Sequence, residues 1–437
     1  MSMRHNWGTA LYLCRENAAE MNAIHKSALA FLLLVPQLGA SPRNAWIATW
    51  AASPEPADSD PDEPLLKIED QTVRERVRVS IGGAEIRIRL SNEFGSTPLL
   101  IASATVAAPD EALSVRPGSM KTVTFGGRKS VTIPAGAPVL SDAISFPVAS
   151  GAEISISLYF PKRVATPTLH SFALKRAVVS PRGDHTGADK IEGGAVSESS
   201  ISLGAVLVPD RPSQRLIVAF GDSLTDGDGS TVDADHNWPS DLIRRLGTTS
   251  DGSKLAVVNA GIVGNRLLRD GFGIRASFGV SALARFDRDA LAVPGATHIV
   301  LLEGINDICF PGAKLNGRYL ADPADVRTAE DLIDTYRQLI ARAHVHGLKL
   351  IGGTITPFEG VDLPGYYSES KEATRQTVNK WIRTSGSFDG VIDADAVVRD
   401  PNHPSRLLPL FSSPDHLHPN DAGYRAIADA IDLALFK

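Results

Sequence analysis

Arg215-Leu216-Ile217-Val218-Ala219-Phe220-Gly221-Asp222-Ser223-Leu224-Thr225-Asp226-Gly227 decides how this chain is read. Five consecutive apolar residues, Leu216 to Phe220, end at a glycine and a run of small polar residues. That pattern describes a strand buried on both faces, since a strand with one wet face would alternate. A turn follows at once, and Ser223 sits on it. The same grammar recurs downstream. Apolar runs at 216–220, 255–259, 297–302, 348–355 and 390–392 alternate with helical patterns. In the clearest of these, at 329–346, Leu332, Ile333, Tyr336, Leu339, Ile340 and Ala343 fall on one face, with Thr328 as N-cap and Gly347 as stop. A last helix is expected over 421–435. Strand–helix alternation implies an α/β domain over 215–437, with a parallel sheet covered on both faces.

Residues 45–209 follow another rule. The segments 76–81 and 85–90 alternate polar and apolar residues around Gly82-Gly83, which predicts a hairpin. Further short strands are expected at 102–107, 122–125, 154–160 and 177–180. Such spacing predicts an all-β domain of sandwich or jelly-roll type. The stretch 208–212, with Pro209 and Pro212, reads as a linker between the two regions. At the N-terminus, Lys26 precedes an apolar run, and Gly39, Ala40 and Ser41 follow it, the layout of a signal peptide within residues 1–40. Met21 opens such a signal by itself. A secreted or periplasmic protein is therefore expected. The run is shorter than the ~20 residues of a bilayer span, so no stable membrane insertion is expected.

Composition narrows the function. The chain has 437 residues, 43% hydrophobic and 22% charged, which is ordinary globular usage. The formal charge is −6 with no basic block, which argues against a nucleic-acid partner. Two cysteines, Cys14 and Cys309, exclude a disulfide framework and a cysteine-built zinc site. There is no phosphate loop and no His-Glu-x-x-His motif. Asp226, Asp228, Ser230 and Asp233 imitate a calcium loop, but Thr231 stands where that loop needs glycine and Asn237 where it needs glutamate. His344 and His346 end a helix, where histidine complements the dipole. No cofactor and no metal are expected.

Ligands of open α/β sheets bind beyond the carboxyl ends of the strands. Four motifs stand there or just before the last helix: Gly221-Asp222-Ser223, Asn259-Ala260-Gly261-Ile262-Val263-Gly264-Asn265, Glu303-Gly304-Ile305-Asn306-Asp307 and Asp415-His416-Leu417-His418. Together they meet the needs of acyl transfer. Ser223 is a nucleophile that requires a base. His418 titrates near neutral pH and is that base. Asp415, three residues earlier, can hold one ring nitrogen as N–H and leave the other for Ser223. The N–H groups of Ser223 and Gly264 and the amide of Asn306 can receive an oxyanion. Asp222 and Asp307 read as loop-holding carboxylates, and His416 as the lesser rival of His418. Asp184-His185 reads as exposed loop.

These four blocks resemble the SGNH superfamily, or GDSL-type esterases and lipases, which contribute Ser, Gly, Asn and His in this order with an Asp-x-x-His pair. Residue by residue the match gives Ser223, Gly264, Asn306, His418 and Asp415. It covers about 215–437 and implies a three-layer α/β/α flavodoxin-like domain. The upstream region resembles, more loosely, the β-rich module of some secreted bacterial relatives. One departure is Arg266, where many members have Ser or Thr. The resemblance implies a serine esterase for small acyl esters, including acetyl groups on carbohydrate. Lipid or lysophospholipid esters come second, and acyl transfer would use the same residues. Readings of another class are a glycosidase built on Glu303 with Asp307 or Asp415, and a carbohydrate-binding β-rich protein. Loops at 309–327, 357–370 and 397–414 carry Phe310, Tyr319, Phe358, Tyr366, Tyr367 and Phe411, which are expected to face the substrate.

Overall fold

The five apolar runs form one parallel sheet. A computed structural model describes residues 45–58, 67–249, 252–271 and 273–437. In it the strands Arg215–Gly221, Leu255–Gly261, Ala296–Leu302, Lys349–Gly353 and Gly390–Ile392 pair in parallel. Their spatial order is second, first, third, fourth, fifth. Connections therefore leave the first strand in opposite directions, which makes its carboxyl end the switch point where such sheets bind ligands. Leu216 to Phe220 are wholly buried, as the unbroken apolar run predicts. Helices Trp238–Gly247 and Asp421–Ala430 pack together against the sheet, and Ala329–Val345 with Glu369–Thr384 form a second group.

Thr328 and Asp331 close a capping box on the helix Ala329–Val345, and Gly347 leaves it at φ +71°. The last helix is shorter than expected. It stops at Ala430, Ile431 is extended, and a single 3-10 turn, Leu433–Phe436, follows. A continuous helix would set Ile431 and Phe436 about 140° apart, so one would face water. The extended residue lets both be 1% exposed.

Upstream lies a β-rich region with a six-stranded and a five-stranded sheet. The expected hairpin is not formed. Strand Gln71–Arg78 pairs with Glu153–Phe160 and Ala177–Arg182 in one sheet, whereas Gly83–Asn92 pairs with Leu203–Pro209 and Ile144–Val148 in the other. Val79, Ser80 and Ile81 carry the chain between the sheets while staying buried. The arginines that mimic a solvated face are spoken for: Arg78 binds Glu153 at 3.0 Å and Asp235 at 2.7 Å.

Val208 and Pro209, read from sequence as linker, complete the strand Leu203–Pro209, and Asp210 N–H donates to the Ala45 carbonyl at 2.8 Å, a normal hydrogen-bond length. The two regions form one compact unit. Ala48 N–H donates to Pro294 O at 2.9 Å, and Val257 N–H donates to Ser80 Oγ at 2.7 Å. The expected signal segment, 1–40, and Cys14 lie outside the described residues. Among those described, no helix is long and apolar enough to cross a membrane.

Candidate active site

Ser223 opens a one-turn helix, Ser223–Asp226, straight after the first strand. Asp222 caps it, its Oδ1 accepting the Leu224 N–H at 3.0 Å, the local role expected for that carboxylate. From the far end of the chain the turn before the last helix brings in His418. Its Nε2 lies 2.8 Å from Ser223 Oγ, and its Nδ1 lies 2.6 Å from Asp415 Oδ2. Asp415 Oδ1 also accepts the N–H groups of Leu417 and His418 and the Ser413 hydroxyl, at 2.9, 3.0 and 2.5 Å. The carboxylate thus shapes the turn that aims the imidazole. Gly229, at φ +87°, backs onto it: a Cβ there would stand 2.7 Å from His418 Cβ.

Burial disfavours the His418 imidazolium. The hydrogen bond to Asp415 and the charges of Asp228 and Asp415 outweigh it, so the ring titrates above its ordinary value. Burial also opposes the Asp415 carboxylate, yet its bonds to His418 hold it well below the usual range. Asp228 Oδ2, on a partly exposed side chain, stands 3.8 Å from His418 Nε2.

Gly264 and Asn306 stand just beyond the ends of the next two strands, Leu255–Gly261 and Ala296–Leu302. Gly264 has φ +74°, and Asn306 Nδ2 donates to Asn265 O at 2.8 Å, joining the two loops. Among the described residues no backbone carbonyl takes the N–H of Ser223 or of Gly264. Asn265, wholly buried, fixes the Gly264 turn by donating to the carbonyls of Phe278 and Val280. Arg285, 1% exposed, then ties all of this to the first strand. Its guanidinium donates to Asn265 Oδ1 at 2.9 Å, to Ala260 O at 2.8 Å and to Gly221 O at 2.8 Å. Neither Asn265 nor Arg285 is picked out by sequence reasoning, because nothing local marks either as a hub.

Other expected residues lie elsewhere. His416 is exposed on the outside of its turn, at φ +60°. Asp307 is buried and accepts the N–H groups of Leu267 and Leu268, and burial lifts its carboxyl to about 6. Glu303 is 2% exposed and 3.9 Å from Arg285. Neither acid can meet a sugar, which removes the glycosidase pairs. The loop aromatics are corrected too. Phe310, Phe358 and Tyr366 are buried against one another, and Phe310 also packs on Phe278 at 5.5 Å. They hold the loops together, while Tyr319 is exposed.

One further cluster was not anticipated. Glu55 and His170, from the β-rich region, meet Asp226 on the nucleophile turn. His170 Nδ1 is 3.0 Å from Glu55 Oε1 and 3.1 Å from Ser53 O; its Nε2 is 3.1 Å from Asp226 Oδ1. The three ligand atoms lie within 4.8 Å of one another, the spacing of a metal site. However, a carbonyl only accepts, so Nδ1 carries a proton, and the ring is better described as bridging two carboxylates.

Residues 219–426 match the GDSL-like Lipase/Acylhydrolase family. No curated protein matches the chain. Three similar solved structures are an aryl esterase from M. smegmatis, a carbohydrate acetylesterase from Sinorhizobium meliloti and an acetylxylan esterase from Geobacillus stearothermophilus. The first is 15% identical, over 49% of this chain and 95% of that one, with a TM-score of 0.38. The second is 13% identical, over 50% and 96%, with 0.37. The third is 20% identical, over 50% and 92%, with 0.36. The C-terminal region is a GDSL/SGNH-like hydrolase domain preceded by a distinct β-rich region. Its Ser223–His418 pair is a serine-hydrolase arrangement, that of a carboxylic ester hydrolase of this type.

Proposed function

We propose that this enzyme hydrolyses short acyl esters, acetyl first, of polar alcohols such as carbohydrate, with Ser223 as nucleophile, His418 as base and Asp415 as its orienting carboxylate. The observation that carries the assignment is the unbroken chain from Ser223 Oγ through His418 to Asp415, at 2.8 and 2.6 Å. Ser223 Oγ attacks the ester carbonyl as His418 Nε2 takes its proton. The oxyanion is received by the N–H groups of Ser223 and Gly264 and the second N–H of Asn306. Collapse expels the alcohol, protonated by His418. Water, deprotonated by His418, then attacks the acyl-enzyme, and the acid leaves with Ser223 restored.

Two features support a small acyl group. Phe278 packs behind Gly264, and Phe310, Phe358 and Tyr366 are spent on one another, so they offer no apolar wall to a long chain. Asp228, partly exposed beside His418, is polar, which suits a hydroxylated leaving group. We read the β-rich region as a sandwich and the protein as secreted. The test compares p-nitrophenyl acetate, butyrate and octanoate with wild type and Ser223→Ala. Turnover should fall by ~10³ or more in the variant, and acetate should lead. Equal turnover by the two proteins would refute the serine mechanism, and a preference for octanoate would refute the substrate class.

A further inference from the structure

We propose that the β-rich region supplies a positioning residue for this chemistry: His170 clamps the nucleophile turn through Asp226. The proposal rests on the reading of Ser223 as nucleophile. The turn Ser223–Asp226 is too short to hold itself, since a single turn forms few hydrogen bonds of its own. Its beginning is fixed by Asp222. Its end is fixed from three sides, all at Asp226. The Asp226 carbonyl accepts from Asn237 Nδ2 at 2.9 Å and Asn259 Nδ2 at 3.1 Å, and its carboxylate meets His170 Nε2 at 3.1 Å. Asp226 is three residues from Ser223, and Gly227 N–H donates back to Ser223 O at 2.8 Å. A shift at Asp226 therefore moves both the hydroxyl and the N–H that this reading places on the oxyanion.

The cluster is built as a buried charge network. Glu55, Asp226 and His170 are 1%, 5% and 7% exposed. A buried carboxylate needs a hydrogen-bond donor, and His170 Nε2 is the donor that the β-rich region holds against Asp226. Without it, the buried Asp226 carboxylate loses that partner and must turn to find another, which loosens the end of the turn. Mere docking of the two regions does not need this cluster. Arg78 and Lys175 already bind Asp235 across the seam at 2.7 and 2.8 Å.

The clamp has a pH sense. His170 faces Glu55 from the strand Glu55–Pro56, Asp226 from the nucleophile turn and Glu75 from the strand Gln71–Arg78. Arg78, Lys175 and Asp235 line the same small cavity, and Arg288 faces Glu55. Burial opposes the imidazolium, but Asp226 and Glu55 outweigh it and raise its pKa well above 6.5. A raised value means the clamp is fully present below 6.5 and is lost as pH rises through the folded-state value. Activity should therefore decline on the alkaline side.

The experiment measures kcat, KM and pH profiles on p-nitrophenyl acetate for the full chain and for His170→Ala, His170→Gln, Asp235→Asn and Ser223→Ala, with melting followed by circular dichroism. His170→Ala should lower kcat by ~10- to 100-fold, as expected when reacting groups are misplaced by up to an ångström, with KM little changed. His170→Gln, whose amide can donate to Asp226 without titrating, should restore most of kcat and abolish the alkaline decline. Asp235→Asn should lower the melting temperature and leave kcat and the decline intact. A folded His170→Gln with the wild-type alkaline decline, or an Asp235→Asn as slow as His170→Ala, would overturn the clamp. Should His170→Ala fail to fold, the His170→Gln profile decides. An active Ser223→Ala would instead overturn the nucleophile assignment, so the two failures are distinct.

Discussion

Replacing Gly264 by alanine tests the oxyanion assignment most sharply, because the structure sets the size of the injury. Gly264 has φ +74°. An L-residue held there loses roughly 1–2 kcal/mol. The new methyl would also lie 2.5 Å from Cε1 and Cγ of Phe278, and nearer still to Cδ1. Carbon atoms normally meet at about 3.5–4.0 Å, so the overlap is about 1 Å. Phe278 cannot simply yield, since it packs on Phe310, which packs on Tyr366. The Gly264 turn must give instead, and its N–H moves away from the developing oxyanion. Losing one such donor typically lowers turnover by ~10²–10³, or ~3–4 kcal/mol. The donor acts in the transition state, so kcat should fall while KM stays nearly constant. Steady-state rates on p-nitrophenyl acetate read this directly, with melting temperature as a control for folding. Gly264→Ala/Phe278→Ala removes the overlap and should recover about tenfold of the loss. A folded Gly264→Ala with wild-type kcat would refute the role of this N–H. A double variant no faster than the single would refute the steric argument.

Asp415→Asn removes the charge that aims His418 and should lower kcat by ~10⁴. Since Asp415 helps hold the His418 pKa above 6.5, and activity rises as that proton leaves, the acid limb of kcat/KM should move to lower pH in the variant; an unmoved limb would mean that another group controls it. Arg285→Met takes the cation from between Asp289 and Glu303 and three loop acceptors from their donor. It should destabilise the fold by ~3–5 kcal/mol, read as a lower urea midpoint at unchanged slope, and a shift under about 1 kcal/mol would remove Arg285 as the hub.

How far the sequence foretells this molecule depends on distance along the chain. Ser223, Gly264 and Asn306 each stand a few residues beyond a buried strand, so the apolar runs that locate the strands also locate them. Asp415 and His418 are three residues apart, and their pairing is local. The ester reading needed only these. Where packing between remote segments decides, the sequence is silent or misleading. Gly82-Gly83 looks like a hairpin turn because alternation flanks it, but alternation does not say which partner a strand takes. Phe310, Phe358 and Tyr366 look like a substrate wall because they sit in loops, but the loops fold them onto one another. His170 is 115 residues from Glu55 and 56 from Asp226, and neither spacing has a signature.

The sheet order explains why that remote cluster sits where it does. The first strand carries the nucleophile, and among the described residues Leu255–Gly261 is the edge strand on that side. An uncovered edge there would offer its free N–H and C=O groups to any passing strand. The β-rich region covers it: Ser80 Oγ takes the Val257 N–H, and the strand Trp46–Ala51 packs alongside. Whatever covers this edge stands one strand away from Ser223. Covering the edge and reaching the nucleophile turn are therefore the same placement, and a side chain from the cover needs to cross only one strand's width, ~5 Å, to touch it. His170 is the side chain that does so, which makes the β-rich region part of the catalytic structure by the geometry of the sheet itself.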